Sequence, residues 1–255
     1  MKIEKLKESK DKILFKVSGI NFSYANTIRR SFSEIPVLAI DTIEFYKNDS
    51  ALYDEILAHR LGLVPLETPK TFTPRDKCTC KGKGCLKCTC ALKLKAKGPK
   101  TVYTSDLKGK GTSPVFKEIP LVILEKDQEL EFSAEAILGT AKDHAKFSCG
   151  LVWFNAVPEI TIKGCNNCGK CINICPKGAI KSKGNSIEID PLKCDMCEAC
   201  VEACKGEKDA ISMKPSETDF IFHIESFGQL PIKKIFQEAV KALESNLKEL
   251  EKVMK

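Results

Sequence analysis

Apolar and polar residues alternate early: in "KILFKVSGI", Ile13, Phe15 and Val17 share one face before Gly19, which predicts a half-buried strand. The period then changes. In "SYANTIRRSFSEIP", Tyr24, Ile28, Phe32 and Ile35 fall at helical spacing, with Ser23 as cap and Pro36 as stop. "VLAIDTIEFYKN" returns to a strand, and "SALYDEILAHRLGLVP" predicts a second helix that starts at Ser50 and closes at Gly62 and Pro65. The middle of the chain reads as β. "IPLVILEKDQELEFSAEAIL" predicts a hairpin, with Leu130, Phe132, Ala134 and Ala136 alternating after its turn, and "LVWFNAVPEITI" adds one strand or a pair. "DFIFHIESFG" puts Phe220, Phe222 and Ile224 on one strand face. The strongest periodicity comes last: after Pro231, which suits a first helical turn, Ile232, Ile235, Phe236, Ala239, Val240, Leu243, Leu247 and Leu250 form one stripe. A helix from there to the end is roughly 36 Å long. So continuous a stripe on a terminal helix suits a partner as well as the chain's own core.

With 255 residues, 43% hydrophobic and 29% charged, the chain has room for one large domain or two to three smaller ones. No run approaches the roughly 18 apolar residues of a membrane span, and "MKIEKLKESKDK" lacks the apolar core of a signal peptide. A cytoplasmic location without a membrane is therefore expected. In that compartment fourteen cysteines argue for metal ligation over disulfides. Charge is uneven. Between Lys77 and Gly111, ten lysines oppose only Asp106, giving +9 and leaving −2 for the rest of a chain whose net charge is +7. The Lys77–Lys110 stretch is expected to be a solvated, mobile basic loop, with contact to nucleic acid phosphates as the alternative.

The cysteines carry the chemistry. Cys165, Cys168, Cys171 and Cys175, then Cys194, Cys197, Cys200 and Cys204, repeat the spacing C-x2-C-x2-C-x3-C. Three thiolates two residues apart can wrap one face of a cubane, and soft sulfur suits iron–sulfur chemistry. In two-cluster ferredoxins the fourth cysteine of each run ligates the other cluster. Two [4Fe–4S] clusters are thus expected, one on Cys165, Cys168, Cys171 and Cys204, the other on Cys194, Cys197, Cys200 and Cys175. Pro176 follows Cys175 in the ferredoxin manner, whereas Lys205 follows Cys204. An earlier group, "CTCKGKGCLKCTC", has knuckle-like spacing that suits one tetrahedral zinc ion. Cys78, Cys80, Cys85 and Cys88 are the expected four, with Cys90 as a substitute; reduced, metal-free thiols are the alternative. Cys149 reads as a small buried apolar residue. Catalytic signatures are missing: there is no G-x-G-x-x-G after a strand and no Walker loop, and His59, His144 and His223 are scattered.

The flanks identify the host of these motifs. "YANTIRRSFSEIPVLAIDTIEFYKNDSALYDEILAHRLGLVPL", "GPKTVYTSDLKG" and "FHIESFGQLPIKKIFQEAVKALESNLKELEK" resemble the D-type subunits of archaeal RNA polymerase, a family related to the bacterial alpha subunit. The resemblance covers nearly the whole chain. It implies an α+β architecture with a discontinuous dimerisation domain, here residues 1–46 and 217–255. Between these ends it implies a mostly β insert domain, 47–162, and an inserted two-cluster ferredoxin-like domain, 163–216. It further implies an assembly role. The D-type chain pairs with the small subunit L, gathers subunits N and P, then receives the large catalytic subunits; nucleotidyl transfer belongs to the assembled enzyme and no catalytic residue is expected here. Tyr24, Ile28 and Phe32, with Ile235, Phe236, Leu243 and Leu247, would face L, and Arg29 and Arg30 would lie near the large subunits. DNA would be met only indirectly or through the lysine-rich stretch. Zinc-binding relatives show C-x-C-x3-C-x2-C, whereas four residues separate Cys80 from Cys85 here, which makes Cys90 a credible ligand. The competing function is a ferredoxin-type electron carrier with the flanks as a docking platform.

Overall fold

The computed structural model describes residues 1–204 and 210–255. The chain opens with β1 (Lys2–Glu8), β2 (Lys12–Ser18) and α1 (Phe22–Ser31). It continues through β3 (Val37–Asn48), α2 (Asp54–Gly62), β4 (Thr89–Lys97), β5 (Lys100–Tyr103), β6 (Lys108–Gly109), β7 (Pro120–Leu124) and β8 (Glu129–Gly139). Next come β9 (Gly150–Ile162), α3 (Lys170–Ile174), β10 (Ile180–Lys183), β11 (Ser186–Ile189) and α4 (Ala199–Cys204). β12 (Ile211–Ser226) and α5 (Ile232–Val253) close it. Two units emerge: Met1–Ser9, Ile13–Arg29 and Val152–His223 form one; Lys10–Lys12, Arg30–Leu151 and Ile224–Lys255 form the other. The anticipated junctions at 46/47 and 216/217 fall inside the continuous strands β3 and β12.

In the first unit the sheet order is β1-β2-β12-β9. Its core is aromatic, because alternation on β2, β9 and β12 delivers Phe to one face. Phe15 stacks on Phe222 at 5.4 Å, and Phe154 meets Phe220 edge-on at 5.5 Å. β1, "KIEKLKE", has no apolar alternation to announce it and forms by pairing antiparallel with β2. Its lysines also suit a sheet edge. α1 begins two residues earlier than its pattern suggests. Asn21 Oδ1 accepts the Tyr24 N–H at 2.8 Å, so Asn21 and not Ser23 is the cap.

In the second unit β3-β8-β4-β6 make one sheet and β5-β7 a second. The hairpin anticipated over residues 119–138 does not form. β7 pairs with β5, while β8 pairs with β3 on one side and β4 on the other. The anticipated basic loop is largely folded as well. β4 buries Leu92, Leu94 and Ala96 and turns Lys93, Lys95 and Lys97 outward. Several lysines there are already offset: Lys95 pairs with Glu131 at 2.7 Å, Lys97 with Glu129 at 3.4 Å and Lys100 with Asp106 at 2.9 Å. α2 starts at Asp54; Ser50 instead closes a turn, its hydroxyl donating to Asn48 Oδ1 at 2.6 Å. Leu57 and Leu61 pack α2 onto Leu38, Ile40, Leu92 and Phe132.

α5 follows Pro231, which occupies the N-cap and not the first turn. Ile232, Ile235 and Ala239 are buried, and Phe236 approaches Phe32 at 6.3 Å. Further along, Asn246 Nδ2 donates to Glu34 Oε2 at 2.6 Å, and Lys142 reaches the same carboxylate at 2.6 Å. Burial works against the charged Glu34, yet these two donors outweigh it and hold its carboxyl below the ordinary value.

Candidate metal centres

All fourteen cysteines are free thiols. In the first unit, one cavity is lined by Cys165, Cys168, Cys171 and Cys204, together with Gly164, Asn166, Gly169, Ile187 and Ala210. Three of these thiols come from the first run; the fourth arrives from α4 in the second. The reciprocal set gathers likewise: the charges felt by Cys194 include Cys175 and Cys197, and those felt by Cys200 include Cys194 and Cys197. Cys171 and Cys200 are buried with Ile180, Ile187, Ile189 and Ile211, so water is kept from the inner side of both sets. Burial, then neighbouring thiolates, raises Cys171 and lifts Cys200 to about 11; Cys194 is raised mainly by burial. A polyvalent cation placed among four thiol sulfurs favours their thiolate form, and an iron–sulfur core would supply that charge here. Backbone N–H groups support the sulfur charge, from Asn167 to Cys165 Sγ and from Ala179 to Cys175 Sγ, each at 3.4 Å. The donor chemistry therefore fits two cubanes.

The two runs differ in their backbones. The loop between the first cysteines turns on Asn167 at φ 54° and Gly169 at φ 78°. The Asn167 amide donates to Gly184 O at 3.1 Å and to Ser182 Oγ at 3.2 Å, which ties this loop to the β10–β11 hairpin. At the corresponding positions the second run has Met196 at φ 59° and Glu198 at φ 58°, side chains poorly suited to left-handed backbone. Lys205, the departure from the ferredoxin pattern, lies outside the described residues. Sequence reading passed over Met213, whose thioether sulfur sits 3.8 Å from Cys194 Sγ.

In the second unit, Cys78, Cys80, Cys85 and Cys88 place their sulfurs within 4.8 Å of one another. Individual separations are 3.5 Å for Cys78–Cys85, 3.6 Å for Cys80–Cys88 and 3.9 Å for Cys85–Cys88. A tetrahedron with zinc–sulfur bonds of about 2.3 Å has edges of about 3.8 Å, so the four fit that ion. The extra residue between Cys80 and Cys85 is absorbed by Lys81, Gly82 and Gly84, all at positive φ, and Arg75 Nε fastens the turn through Gly82 O at 3.0 Å. Burial opposes ionisation of Cys80, but hydrogen bonds from Cys78, Cys88, the Gly84 backbone and Cys85 bring it down to about 6. Cys90 is not part of the group. It lies on β4, buried in the hydrophobic core, and its thiol donates to Lys110 O at 2.9 Å. Cys149 is buried too, and that burial lifts its thiol to about 11.

Residues 24–149 match the RNA polymerase Rpb3/RpoA insert domain, and residues 158–205 match the 4Fe-4S dicluster domain. DNA-directed RNA polymerase subunit Rpo3 of Archaeoglobus fulgidus is 35% identical over 99% of this chain and 97% of its own length. The Rpo3 subunits of Methanosarcina mazei, at 36% over 98% and 97%, and of Methanothermobacter thermautotrophicus, at 37% over 92% and 92%, are similar end to end. The chain belongs to the Rpo3 family. Rpo3 is another designation of the D-type chain, so the resemblance of the flanks and that of the cysteine runs lead to one family.

Within this Rpo3-family chain, the seven residues anticipated to face a partner divide by exposure. Ile28, Phe32 and Ile235 are buried in the chain itself, and Phe236 and Leu243 are half-buried. Tyr24 and Leu247 are exposed, and exposed apolar residues extend beyond the anticipated set to Phe22 on α1 and to Leu250 and Val253 on α5. Arg29 is held by Asn26, its Nε donating to Oδ1 at 3.0 Å, and Arg30 helps stabilise the Glu34 carboxylate. Among the described residues no helix is long and apolar enough to cross a membrane.

Proposed function

We propose that this chain is a non-catalytic assembly subunit of a DNA-directed RNA polymerase, pairing with subunit L and then gathering subunits N and P and the large catalytic subunits. The observation that carries the reading is the far half of α5. Its first half closes on the chain's own core, whereas Leu247, Leu250 and Val253 continue the same stripe into solvent at 58%, 57% and 84% exposure. A surface helix with nothing to bury on that side has no reason to keep the stripe; a shared helix does. The chain's end-to-end likeness to polymerase subunits supplies the kind of partner.

In this reading residues 1–46 and 217–255 form the dimerisation domain, 47–162 the insert and 163–216 the cluster-bearing module. The module would hold two [4Fe–4S] clusters with the crossed ligand sets Cys165, Cys168, Cys171, Cys204 and Cys194, Cys197, Cys200, Cys175. Cys78, Cys80, Cys85 and Cys88 would hold one zinc ion. Bound clusters would supply folding energy that a module of this size lacks, since its buried large apolar residues, among those described, are Ile180, Ile187, Ile189 and Ile211. Loss of the clusters to oxygen or iron shortage would then report on either condition. Capture on a tagged chain under anaerobic conditions tests both parts. Large polymerase subunits should co-purify, with about eight irons and one zinc per chain. Capture of redox enzymes without polymerase subunits would favour the electron-carrier reading and sink this one.

A further inference from the structure

The second unit contains a cleft of about 320 Å³ that neither metal centre nor the exposed end of α5 accounts for. Ile35, Phe72, Leu138 and Leu230 give it an apolar floor, and Lys70, Lys234, Glu238 and Lys241 stand around it. The carboxylate in this lining is taken: Glu238 pairs with Lys241 at 2.8 Å. Among the described residues Lys70 and Lys234 pair with no carboxylate. The start of α5 adds to the positive field, because its first turn has no acidic residue and Pro231 offers no side-chain cap. Three prolines, Pro36, Pro69 and Pro231, also line the cleft. Lacking N–H groups, they cannot donate to a strand laid along the rim, which favours recognition through side chains.

An apolar floor ringed by unpaired cations suits one kind of occupant. We propose that the cleft docks an acidic segment of another polypeptide, with an apolar side chain seated on the floor and flanking Asp or Glu carboxylates on Lys70 and Lys234. The inference rests on the assembly reading only in that the partner is sought among chains that co-purify with this one.

The test compares the isolated chain with the complex captured on it. Lys70 and Lys234 should be acetylated about tenfold more slowly in the complex, the protection expected where some nine sites in ten are covered. Zero-length carbodiimide coupling should join them to Asp or Glu of a second chain, within a few residues of a large apolar side chain. Replacing both lysines (Lys70→Glu with Lys234→Glu) should release that chain and leave the variant folded by circular dichroism. Three results overturn the proposal: unchanged lysine reactivity in the complex, coupling only to segments without an apolar residue, or full retention of every partner by the double variant. Any of these in a complex that still contains polymerase subunits leaves the assembly reading standing. A wild-type chain that captures no polypeptide would overturn both.

Discussion

Replacing Leu247 and Leu250 by aspartate probes the exposed half of α5 without touching what holds the helix to its own chain. Both leucines are more than half exposed, so the isolated chain gains little from them, and its thermal midpoint should barely move. Full burial of a leucine is worth roughly 1.5–3 kcal/mol, and just over half of that remains to be gained at each position on partner binding, about 2–3 kcal/mol for the pair. Each aspartate would also bring a carboxylate against an apolar partner surface, adding at least about 1 kcal/mol per group after partial solvation. Together these amount to at least about 4–5 kcal/mol, or three to four orders of magnitude in Kd. Co-expressed with subunit L, the wild-type chain should elute as a heterodimer in gel filtration at micromolar concentration, and the double variant as separate chains. Leu86→Asp is the control, since Leu86 is 93% exposed on the thiol loop and far along the chain from α5. A folded double variant whose Kd for L stays within about threefold of wild type would show that the stripe serves something other than this interface.

The metal centres lead to further expected outcomes. Cys175→Ser should damage the cluster held by Cys194, Cys197 and Cys200 more than the one in its own run, which paramagnetic resonance of the reduced protein can resolve; loss confined to the first cluster would refute crossed ligation. Glu198→Gly should relieve a left-handed backbone cost of about 1–2 kcal/mol and slow loss of the second cluster in air, while Gly169→Glu should hasten loss of the first; equal lability in all three proteins would show the loops are not limiting. Removal of iron should leave the heterodimer with L largely intact and lower the yield of whole enzyme. Loosening about fifty residues between two paired strands costs on the order of 3 kcal/mol, which an obligate interface of roughly 2,000 Å² or more can offset. Equal whole-enzyme yield with and without iron, or complete loss of the heterodimer, would contradict that expectation.

Local spacing was enough for much of this protein. Alternation marked β2, β3, β8 and β12, the 3.6-residue stripe marked α5, and the cysteine intervals marked three sets of thiols, because each depends only on residues near one another in the chain. What periodicity reports is which face of an element is buried, and never which element covers it. Strands β7 and β8 show the difference: adjacent in sequence and read there as one hairpin, they join different sheets, since β8 buries both edges between β3 and β4 and leaves β7 to β5. Charge density likewise misled at 89–97, where lysines on one side of β4 obscured the buried leucines on the other. Sequence counted five thiols in the knuckle; the fold put Cys90 on β4 beside Leu92 and Leu94 in the core, while Cys88 stays with the other thiols in the turn before that strand. The cleft is the furthest from view. Its lining comes from residues 35–36, 68–72, 138 and 230–241, and only long-range packing of those segments brings unpaired lysines round an apolar floor.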